Sequence, residues 1–237
     1  MTRRRSGCLV AVLVLVLLVL GVLVVVDRVG VGIAEGRVAE QVASRAGLTS
    51  APDVEITGFP FLTQAVSGSY HDIRLHLTAE QLGQPAGTRA DISLRGVHVP
   101  LSDVLSGSVQ QIPVDRVDGT ATLSYALLAD QLGGDTALSQ DGDGIRLTKS
   151  VTVLGVSFDL TASGTVSLDG QDVVVDVSDA SAAGVDVPDF VLRTAEDLLD
   201  FRYHVPELPF GLQLTGVRPA AQGVDVSVEA TDTVLSG

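Results

Sequence analysis

The sequence predicts an α+β domain, built mainly from a long, strongly curved antiparallel β-sheet with two or three amphipathic helices. One N-terminal membrane helix precedes this domain. Three observations support the prediction. An uncharged apolar run occupies residues 9–26. From Pro52 onward, apolar and polar residues alternate with a period of two, which is typical of strands with one dry face and one wet face. Segments with a helical period interrupt this alternation at residues 34–46, 124–132 and 188–202.

The apolar run, Leu9 to Val26, is long enough to cross a membrane. As a helix it would extend for roughly 27 Å, because each residue adds about 1.5 Å, and this length is close to the thickness of the hydrocarbon core. Three arginines at positions 3–5 precede the run and favour a cytoplasmic N-terminus. The predicted organisation is a cytoplasmic N-terminus (residues 1–8), a signal anchor or signal peptide (residues 9–28) and an extracytoplasmic domain (residues 30–237).

The two other roles of such an apolar segment are a cleaved signal peptide and a lipoprotein anchor. A cleaved signal peptide usually has an apolar region of about 7–15 residues followed by a small-x-small cleavage site. The run here is longer, and the best cleavage candidate, Gly32-Ile33-Ala34, is poor, so the pattern favours an uncleaved anchor while a cleaved signal stays open. A lipoprotein anchor is disfavoured, because Cys8 precedes the apolar run instead of following it.

Charge limits the partners of the exported domain. The chain has 15 Lys and Arg against 29 Asp and Glu, and four of these Arg but only one Asp lie within residues 1–28. The remainder therefore carries a net charge of −17, with 11 basic and 28 acidic residues. Such a surface disfavours nucleic acid, which is bound through Lys and Arg, and repels anionic headgroups on average. Any lipid must be held mainly by apolar contact.

The first element after the apolar run is a helix. Small apolar residues recur every four positions from Ala34 to Ala46, which predicts a narrow amphipathic helix that stops at Gly47. It can continue from the membrane helix through residues 30–32. Residues 102–106 are predicted to form at most one or two helical turns, and further helices are predicted at residues 124–132 and, as the longest, at residues 188–202.

Strands follow from the alternation. Strands are predicted around Val54 and Ile56, at residues 70–77, 92–99, 151–160 and 165–177, and at residues 224–230. Within two of them the alternation slips by one residue, at Gly96 and at Gly155, which is the signature of a β-bulge and indicates a curved sheet. Asp169-Gly170 is a hairpin signal, and a two-residue turn there would pair Leu168 with Gln171 and Val166 with Val173.

The sequence offers no catalytic set, no metal site and no cofactor motif. The Gly-x-Ser-x-Gly elbow of the α/β-hydrolases is missing, and Cys8 lies outside the exported domain. The histidines have no zinc spacing, and His71 and His76 fall on opposite faces of a strand. The other two are His98 and His204. Asp141 and Asp143 are interpreted as a solvated turn and not as a calcium loop. We therefore predict that the domain is not an enzyme.

The remaining indication of function is the position of the large apolar residues. Phenylalanines concentrate in residues 58–64, in the 188–202 helix and in residues 208–212. These segments can plug the core at strand ends, or they can line the mouth of an apolar cavity that binds lipid. The candidate lining residues are Phe59, Phe61, Leu62, Phe190, Val191, Leu198, Phe201, Phe210 and Leu212.

Several motifs, taken in order, resemble a known family. They are Gly58-Phe59-Pro60-Phe61-Leu62-Thr63-Gln64, Gly68-x-Tyr70-x-x-Ile73, Val117-x-Gly119-x-Ala121, Leu208-Pro209-Phe210-Gly211-Leu212 and Gly223-Val224-x-Val226. With the N-terminal membrane segment, this order resembles the LmeA-like phospholipid-binding family of actinobacterial cell-envelope proteins, from about Ile33 to the C-terminus. The first motif followed by Gly-x-Tyr is the most specific part of the resemblance.

The resemblance implies a TULIP-like (tubular lipid-binding) fold, in which a long curved sheet wraps around helices and encloses an apolar groove. It also implies a periplasmic protein at the cytoplasmic membrane that binds a phospholipid or another acyl lipid. The implied role is in envelope lipid or lipoglycan (lipomannan-type) biogenesis, with an envelope glycosyltransferase as a further partner. Two alternatives stay open: a scaffold for an envelope enzyme or transporter that binds no lipid, and an envelope hydrolase that uses scattered carboxylates.

Overall fold

The computed structural model of the chain describes residues 3–100, 102–103, 109–132, 136–153, 156–182, 201–204 and 208–236. Eleven strands in these ranges form two antiparallel sheets, neither of them closed. A long N-terminal helix and a few short helices complete the described structure. The α+β class predicted from the sequence is confirmed at this level.

One continuous helix, α1 (Arg3–Ala46), contains both the apolar run and the predicted amphipathic segment. Its side chains from Val12 to Val26 are exposed, and α1 is the one helix in the described ranges that is long and apolar enough to cross a membrane. The helix runs through residues 30–32 without a break and ends before Gly47, whose φ is +64°. The continuation and the stop are both as predicted.

The larger sheet has six strands in the order β1-β2-β3-β4-β11-β10. Their bounds are β1 (Asp53–Thr57), β2 (Ser69–Thr78), β3 (Arg89–His98), β4 (Gln111–Ser124), β10 (Gln213–Ala220) and β11 (Gly223–Ser236). Short helices lie between some of them: α2 (Phe61–Ser67), α3 (Ala79–Leu82), α4 (Tyr125–Leu132) and a 3₁₀ turn (Pro209–Gly211). The sequence predicted α4 and did not predict α2 or α3.

The smaller sheet has five strands in chain order. They are β5 (Thr136–Asp141), β6 (Gly144–Val153), β7 (Val156–Asp169), β8 (Asp172–Ala182) and β9 (Phe201–His204). The hairpin predicted near Asp169-Gly170 exists, but its register is shifted by two, so that Asp169 pairs with Asp172 and Leu168 with Val173. The turn is thus Gly170-Gln171. A shift of two residues leaves every side chain on its predicted face.

The single strand predicted at residues 151–160 is wrong. Val153, at the end of β6, pairs with Val156, at the start of β7, so the chain reverses there and forms a hairpin. Alternation is equally good in two strands that meet at a tight connection, so the apparent bulge at Gly155 was a reversal of direction. Gly155 itself lies outside the described residues.

The long helix predicted at residues 188–202 falls mostly on residues that the structure does not describe. Its last two members, Phe201 and Arg202, are wrong as helix, because they belong to β9 and pair with Val175 and Val174. Phe201 and Tyr203 alternate with polar residues in this short stretch, and pairing with β8 selects the strand. Of the helix predicted at residues 102–106, the structure describes residues 102–103, which are helical.

The phase slip predicted at Gly96 is real, but it extends across four strands. The pairing skips one row, formed by His71, Gly96, Asp115 and Asp232. On both sides of this row the register is the same, so Gly96 adds no residue to β3. Buried positions on β4 are three apart across this row, at Val114 and Val117, and three apart again between Gly119 and Thr122.

Gly96 is required at this row for a steric reason. Its φ is +61°, and a Cβ built on it would lie 2.0 Å from the Oδ2 atom of Asp115 on the neighbouring strand. All four strands that contain a residue of this row change phase there, so the apolar face continues across the row. One buried cluster joins the α1 helix, α2 and the six-stranded sheet on both sides of the row. Its members are Val31, Ala39, Val54, Ile56, Phe61, Ile73, Leu75, Leu77, Val97, Val99, Val114, Val117 and Ala230.

The six-stranded sheet has two ends, which we call proximal and distal. The proximal end is the one that contains the start of β2 at Ser69, the start of β4 at Gln111 and the end of β11 at Ser236. The distal end contains Thr78 and the β10–β11 turn at residues 221–222. β2 has ten residues, so these two ends are roughly 30 Å apart.

Candidate functional site

The junction between α1 and α2 lies at the proximal end, directly after the apolar run. The Leu62 amide donates a hydrogen bond of 2.8 Å to Oδ1 of Asp27. Pro60, at the N-cap of α2, has no side-chain cap of its own. Asp27 therefore acts as the cap from another helix, accepting one of the free amides of the first turn of α2. Only 2% of Asp27 is exposed, so this link is sealed from solvent.

A second link joins α1 to the edge of the sheet. The Ile56 amide, on β1, donates a hydrogen bond of 2.9 Å to Oε1 of Glu35. Between the two links, α2 packs against α1 at Gly30, where an added Cβ would be in ordinary van der Waals contact with the ring of Phe61, 3.6 Å away. The apolar run and the domain are therefore joined through a packed helix with two carboxylate links.

The motif at residues 58–64 has a clear structural role. Gln64 is buried, donates to the carbonyl of Thr57 at 3.2 Å and accepts from the amide of His71 at 3.0 Å. It thus connects the end of β1 to the start of β2. Gly58 has a φ of +102°, and a Cβ there would lie 2.7 Å from the Gln64 amide nitrogen. A side chain at position 58 would displace this connection.

Three predicted lining residues lie together at this junction in different environments. Phe61 is buried, with its ring centroid 6.3 Å from that of Tyr70. Leu62 is half-buried and packs against the same cluster. Phe59 is 62% exposed, and the guanidinium carbon of Arg28 lies 5.3 Å from its ring centroid. Burial also raises the pKa of the Tyr70 hydroxyl, which stays neutral at physiological pH.

Two more predicted residues lie on the neighbouring 3₁₀ turn and strand. Leu212 is half-buried and packs against the same apolar cluster as Phe61. Phe210 is 41% exposed with a φ of +61°, and its carbonyl accepts a hydrogen bond from the hydroxyl of Thr233. The structure thus brings Phe61, Leu62 and Leu212 into one cluster.

The other predicted lining residues are not placed at this cluster. Phe190, Val191 and Leu198 lie outside the described residues. The backbone of Phe201 belongs to β9 of the five-stranded sheet. The lining role of all nine residues stays a prediction.

A polar groove of about 430 Å³ lies on the six-stranded sheet. Its lining includes Arg74, His76, Asp91, Ser93, Asp118, Thr120, Thr215, Ser227 and Glu229. Most of these residues carry polar side chains in a cross-strand lattice, with Arg74 paired opposite Ser93 and Asp118 opposite Glu229. The groove is therefore distinct from the predicted apolar lining.

Ion pairs neutralise much of this lattice. Arg116 lies 2.9 Å from Asp118 and 2.8 Å from Glu229, and Arg74 lies 2.8 Å from Asp72. The hydrogen bond from Arg116 lowers the pKa of Asp118, and the same bond raises the pKa of Arg116. Arg116 and Asp118 therefore remain charged at neutral pH, and with these ion pairs the face is suited to water.

No metal centre or catalytic group emerges from the described residues. Within the described ranges, no three His, Cys, Asp or Glu side chains come close enough together to hold a metal ion. His71 contacts Gln64, His76 lies 2.6 Å from Asp91, and the ring of His98 lies 3.2 Å from Asp115. Gln64 lies on α2, whereas Asp91 and Asp115 lie on the neighbouring strands of the same sheet.

Sequence reasoning missed Asp27, Glu35 and Gln64. Asp27 contributed only to the charge count of residues 1–28, and Glu35 was not singled out. One signal was available for Asp27: α2 begins after Pro60 without a capping side chain, so its amides need an acceptor from elsewhere. No sequence pattern identified which acceptor supplies it.

Comparison with known proteins gives one finding. The model of a protein family described as LmeA-like phospholipid-binding matches residues 25–229. The match begins at the end of the apolar run and includes the α1–α2 junction and both sheets. No curated protein and no solved structure matches the chain.

Proposed function

Because the chain belongs to the LmeA-like phospholipid-binding family, we propose that it is a membrane-tethered, extracytoplasmic protein that holds phospholipid acyl chains in an apolar groove. Its proposed role is in lipid or lipoglycan biogenesis in the cell envelope. The family match over residues 25–229 is the observation that carries the lipid-binding proposal. The proposed fold is the tubular lipid-binding one, in which such a groove lies between a curved sheet and helices.

The tether is supported by α1. Its apolar part is long enough to cross a bilayer, and its exposed Val and Leu side chains have no packing partners within the described domain. The arginines at positions 3–5 favour a cytoplasmic N-terminus, so residues 30–237 would lie outside. If this orientation is right, a reporter enzyme that is active only in the periplasm should be active when it is fused after residue 237.

Apolar binding is supported by the charge of the domain. A net charge of −17 beyond residue 28 disfavours recognition through an anionic headgroup. Burial of roughly 300–400 Å² of acyl chain, at about 25 cal/mol per Å², contributes roughly 7–10 kcal/mol before ordering costs. Acyl-chain contact is therefore sufficient for binding.

The groove is proposed to involve the proximal part of the buried cluster, which extends along the six-stranded sheet. Phe61, Leu62 and Leu212 share this cluster, while Phe59 and Phe210 are exposed beside it. An apolar interior with aromatic side chains at its opening is the arrangement that an acyl chain requires. Phe190, Val191, Leu198 and Phe201 are proposed to complete the lining.

Native mass spectrometry of the full chain, released from detergent micelles after washing that removes loosely bound lipid, tests the proposal. We expect one retained phospholipid per chain, with its identity given by organic extraction. A bare polypeptide that stays bare after incubation with phospholipid vesicles would overturn lipid binding. It would favour the alternative of a tethered scaffold for an envelope enzyme such as a glycosyltransferase.

A pair of variants tests where the lipid lies. Leu212→Asp places a charge in the cluster at the proximal end, and Leu147→Asp places one at a half-buried position on β6 of the smaller sheet. We expect only Leu212→Asp to abolish the retained lipid mass. Both variants must keep the wild-type circular dichroism spectrum. Loss of lipid in Leu147→Asp alone would place the groove at the smaller sheet.

A further inference from the structure

We propose that the proximal end of the six-stranded sheet docks on the bilayer surface and inserts four apolar side chains, those of Phe59, Val66, Phe210 and Val234. The domain would then be held in a fixed orientation on the membrane, with the proximal cluster facing the lipid. This inference deepens the proposed function and rests on its membrane tether.

The exposure of these four residues carries the proposal. Phe59 is 62% exposed, Val66 76%, Phe210 41% and Val234 48%. Among the residues outside α1 whose side-chain burial the structure describes, these four are the exposed large apolar ones. Single exposed apolar residues are ordinary, but a set confined to one end of a domain indicates an interaction surface.

Strand register places all four residues at the proximal end. Phe59 follows the last pair of β1, Thr57 with Asp72, and Val66 lies in the last turn of α2, directly before β2. Val234 pairs with Pro113 near the start of β4. Phe210 accepts a hydrogen bond from Thr233, the residue before Val234.

The apolar helix leaves the domain from this same end. The bond between Asp27 and the Leu62 amide fixes α2 to α1 one residue after the apolar run. Arg28 covers one side of Phe59 at 5.3 Å. If residues 9–26 cross the bilayer, α2 lies within about one helical turn of the membrane boundary, because the rise is about 1.5 Å per residue. Aromatic residues and arginines are typical of this boundary.

A bilayer fits this surface better than a protein partner does. α1 itself exposes Val29 (58%) and Ile33 (58%) just beyond the run, so the apolar surface is continuous from the run to the domain. The acidic domain would be repelled by anionic headgroups, so docking must depend on insertion of apolar side chains and change little with salt.

The sequence supplies a clean reporter for this contact. The chain has no Trp, so Phe59→Trp and Val66→Trp each introduce a single fluorophore. Ala221→Trp is the matched control, because position 221 is exposed in the β10–β11 turn at the distal end. Each full-length variant is reconstituted into phosphatidylcholine vesicles, with and without bromine on the acyl chains.

We expect blue-shifted emission and strong quenching by brominated lipid for Phe59→Trp and Val66→Trp, and neither effect for Ala221→Trp. Iodide added to the vesicles should quench only the Ala221→Trp variant strongly. Equal iodide quenching of all three variants, with no effect of bromine, would overturn docking.

Two further measurements separate this proposal from the proposed function. In a Leu212→Asp background, which is expected to lose groove-bound lipid, quenching of Phe59→Trp should persist if it comes from the bilayer; its disappearance would overturn docking. The retained lipid mass is measured separately on the Phe59→Trp variant that keeps Leu212. In that variant, retained lipid without quenching refutes docking alone, and quenching without retained lipid refutes lipid binding alone.

Discussion

The two ends of the six-stranded sheet differ in the side chains that they bury and expose. At the distal end, polar groups satisfy one another: Thr122 donates to Asp225 at 2.6 Å, and Thr88 donates to Ser124 at 3.0 Å. Ser124 also accepts from the Leu127 amide and so caps α4. At the proximal end, one buried carboxylate, Asp27, caps α2, while bulky apolar side chains remain exposed.

This difference indicates which surroundings suit each end of the sheet. Buried polar groups must find partners, and the distal end supplies them internally, so it can face water without further contacts. Exposed phenylalanine and valine side chains cost solvation free energy in water. Their concentration at the end from which α1 departs indicates that this end is not adapted to water alone. The predictions below test this contrast.

The largest loss of unfolding free energy is expected when Phe61 is replaced. Phe61→Ala should lower the free energy of unfolding by about 3–5 kcal/mol, because the side chain is buried in the proximal cluster. Phe59→Ala, two residues away, should change it little in detergent, since Phe59 is 62% exposed. Denaturant unfolding followed by circular dichroism measures both. Equal losses would show that Phe59 belongs to the core and would remove the contrast.

The second-largest loss of unfolding free energy is expected when the link from α1 to α2 is removed. Asp27→Ala leaves the buried Leu62 amide without an acceptor and should cost about 1–3 kcal/mol. Asp27→Asn retains an acceptor oxygen and should cost less. Hydrogen exchange at the Leu62 amide provides the local measurement, and faster exchange is expected only in the alanine variant. Unchanged exchange would mean that α2 does not depend on α1.

The distal polar cluster is expected to contribute somewhat less. Thr122→Val removes the hydroxyl that bonds Asp225, and should cost about 1–2 kcal/mol, because Arg218 still lies 3.4 Å from this carboxylate. Thr122→Ser retains the donor and should behave like the wild type in the same denaturant titration. If valine is tolerated, the distal end does not depend on polar satisfaction.

The smallest effect is expected on the solvated outer face, between the two ends. The pKa of Asp118 is lowered by the hydrogen bond from Arg116. A carboxyl with a lowered folded-state pKa stabilises the protein above its unfolded pKa, and this contribution is lost as the pH falls through the lowered value. Unfolding free energy measured from neutral to acidic pH should therefore fall less steeply in Asp118→Asn. Asp143→Asn, at an exposed turn position, should follow the wild type.

Much of the fold could be predicted from local pattern. The continuous α1 helix, the strands at β1 and β11, the turn at Gly142-Asp143 and helix α4 all follow from apolar spacing and turn residues. The predicted phase slip at Gly96 was also correct, as a change on β3. The reversal between Val153 and Val156 was missed, because alternation does not show the direction of a strand.

The candidate site was less predictable. The sequence identified Phe59 and Phe61 as a pair and could not distinguish them, although one is exposed and the other buried. Burial depends on where α1 lies, and Asp27, which bonds to the Leu62 amide, is 35 residues away from Leu62 in the chain. Gly30, against which Phe61 packs, is 31 residues away from Phe61. Contacts at this separation leave no periodic signal.

By itself, the sequence determined the apolar run, the antiparallel character of the strands, the acidic surface and the family, because each depends on residue type or on spacing within a few positions. Only the tertiary structure decided that Asp27 caps α2, that four strands change phase at the row of Gly96, and that exposed apolar side chains gather at the end where α1 departs. These features join residues that are distant in the chain, and they arise from backbone groups that need partners and from side chains that compete for the same space.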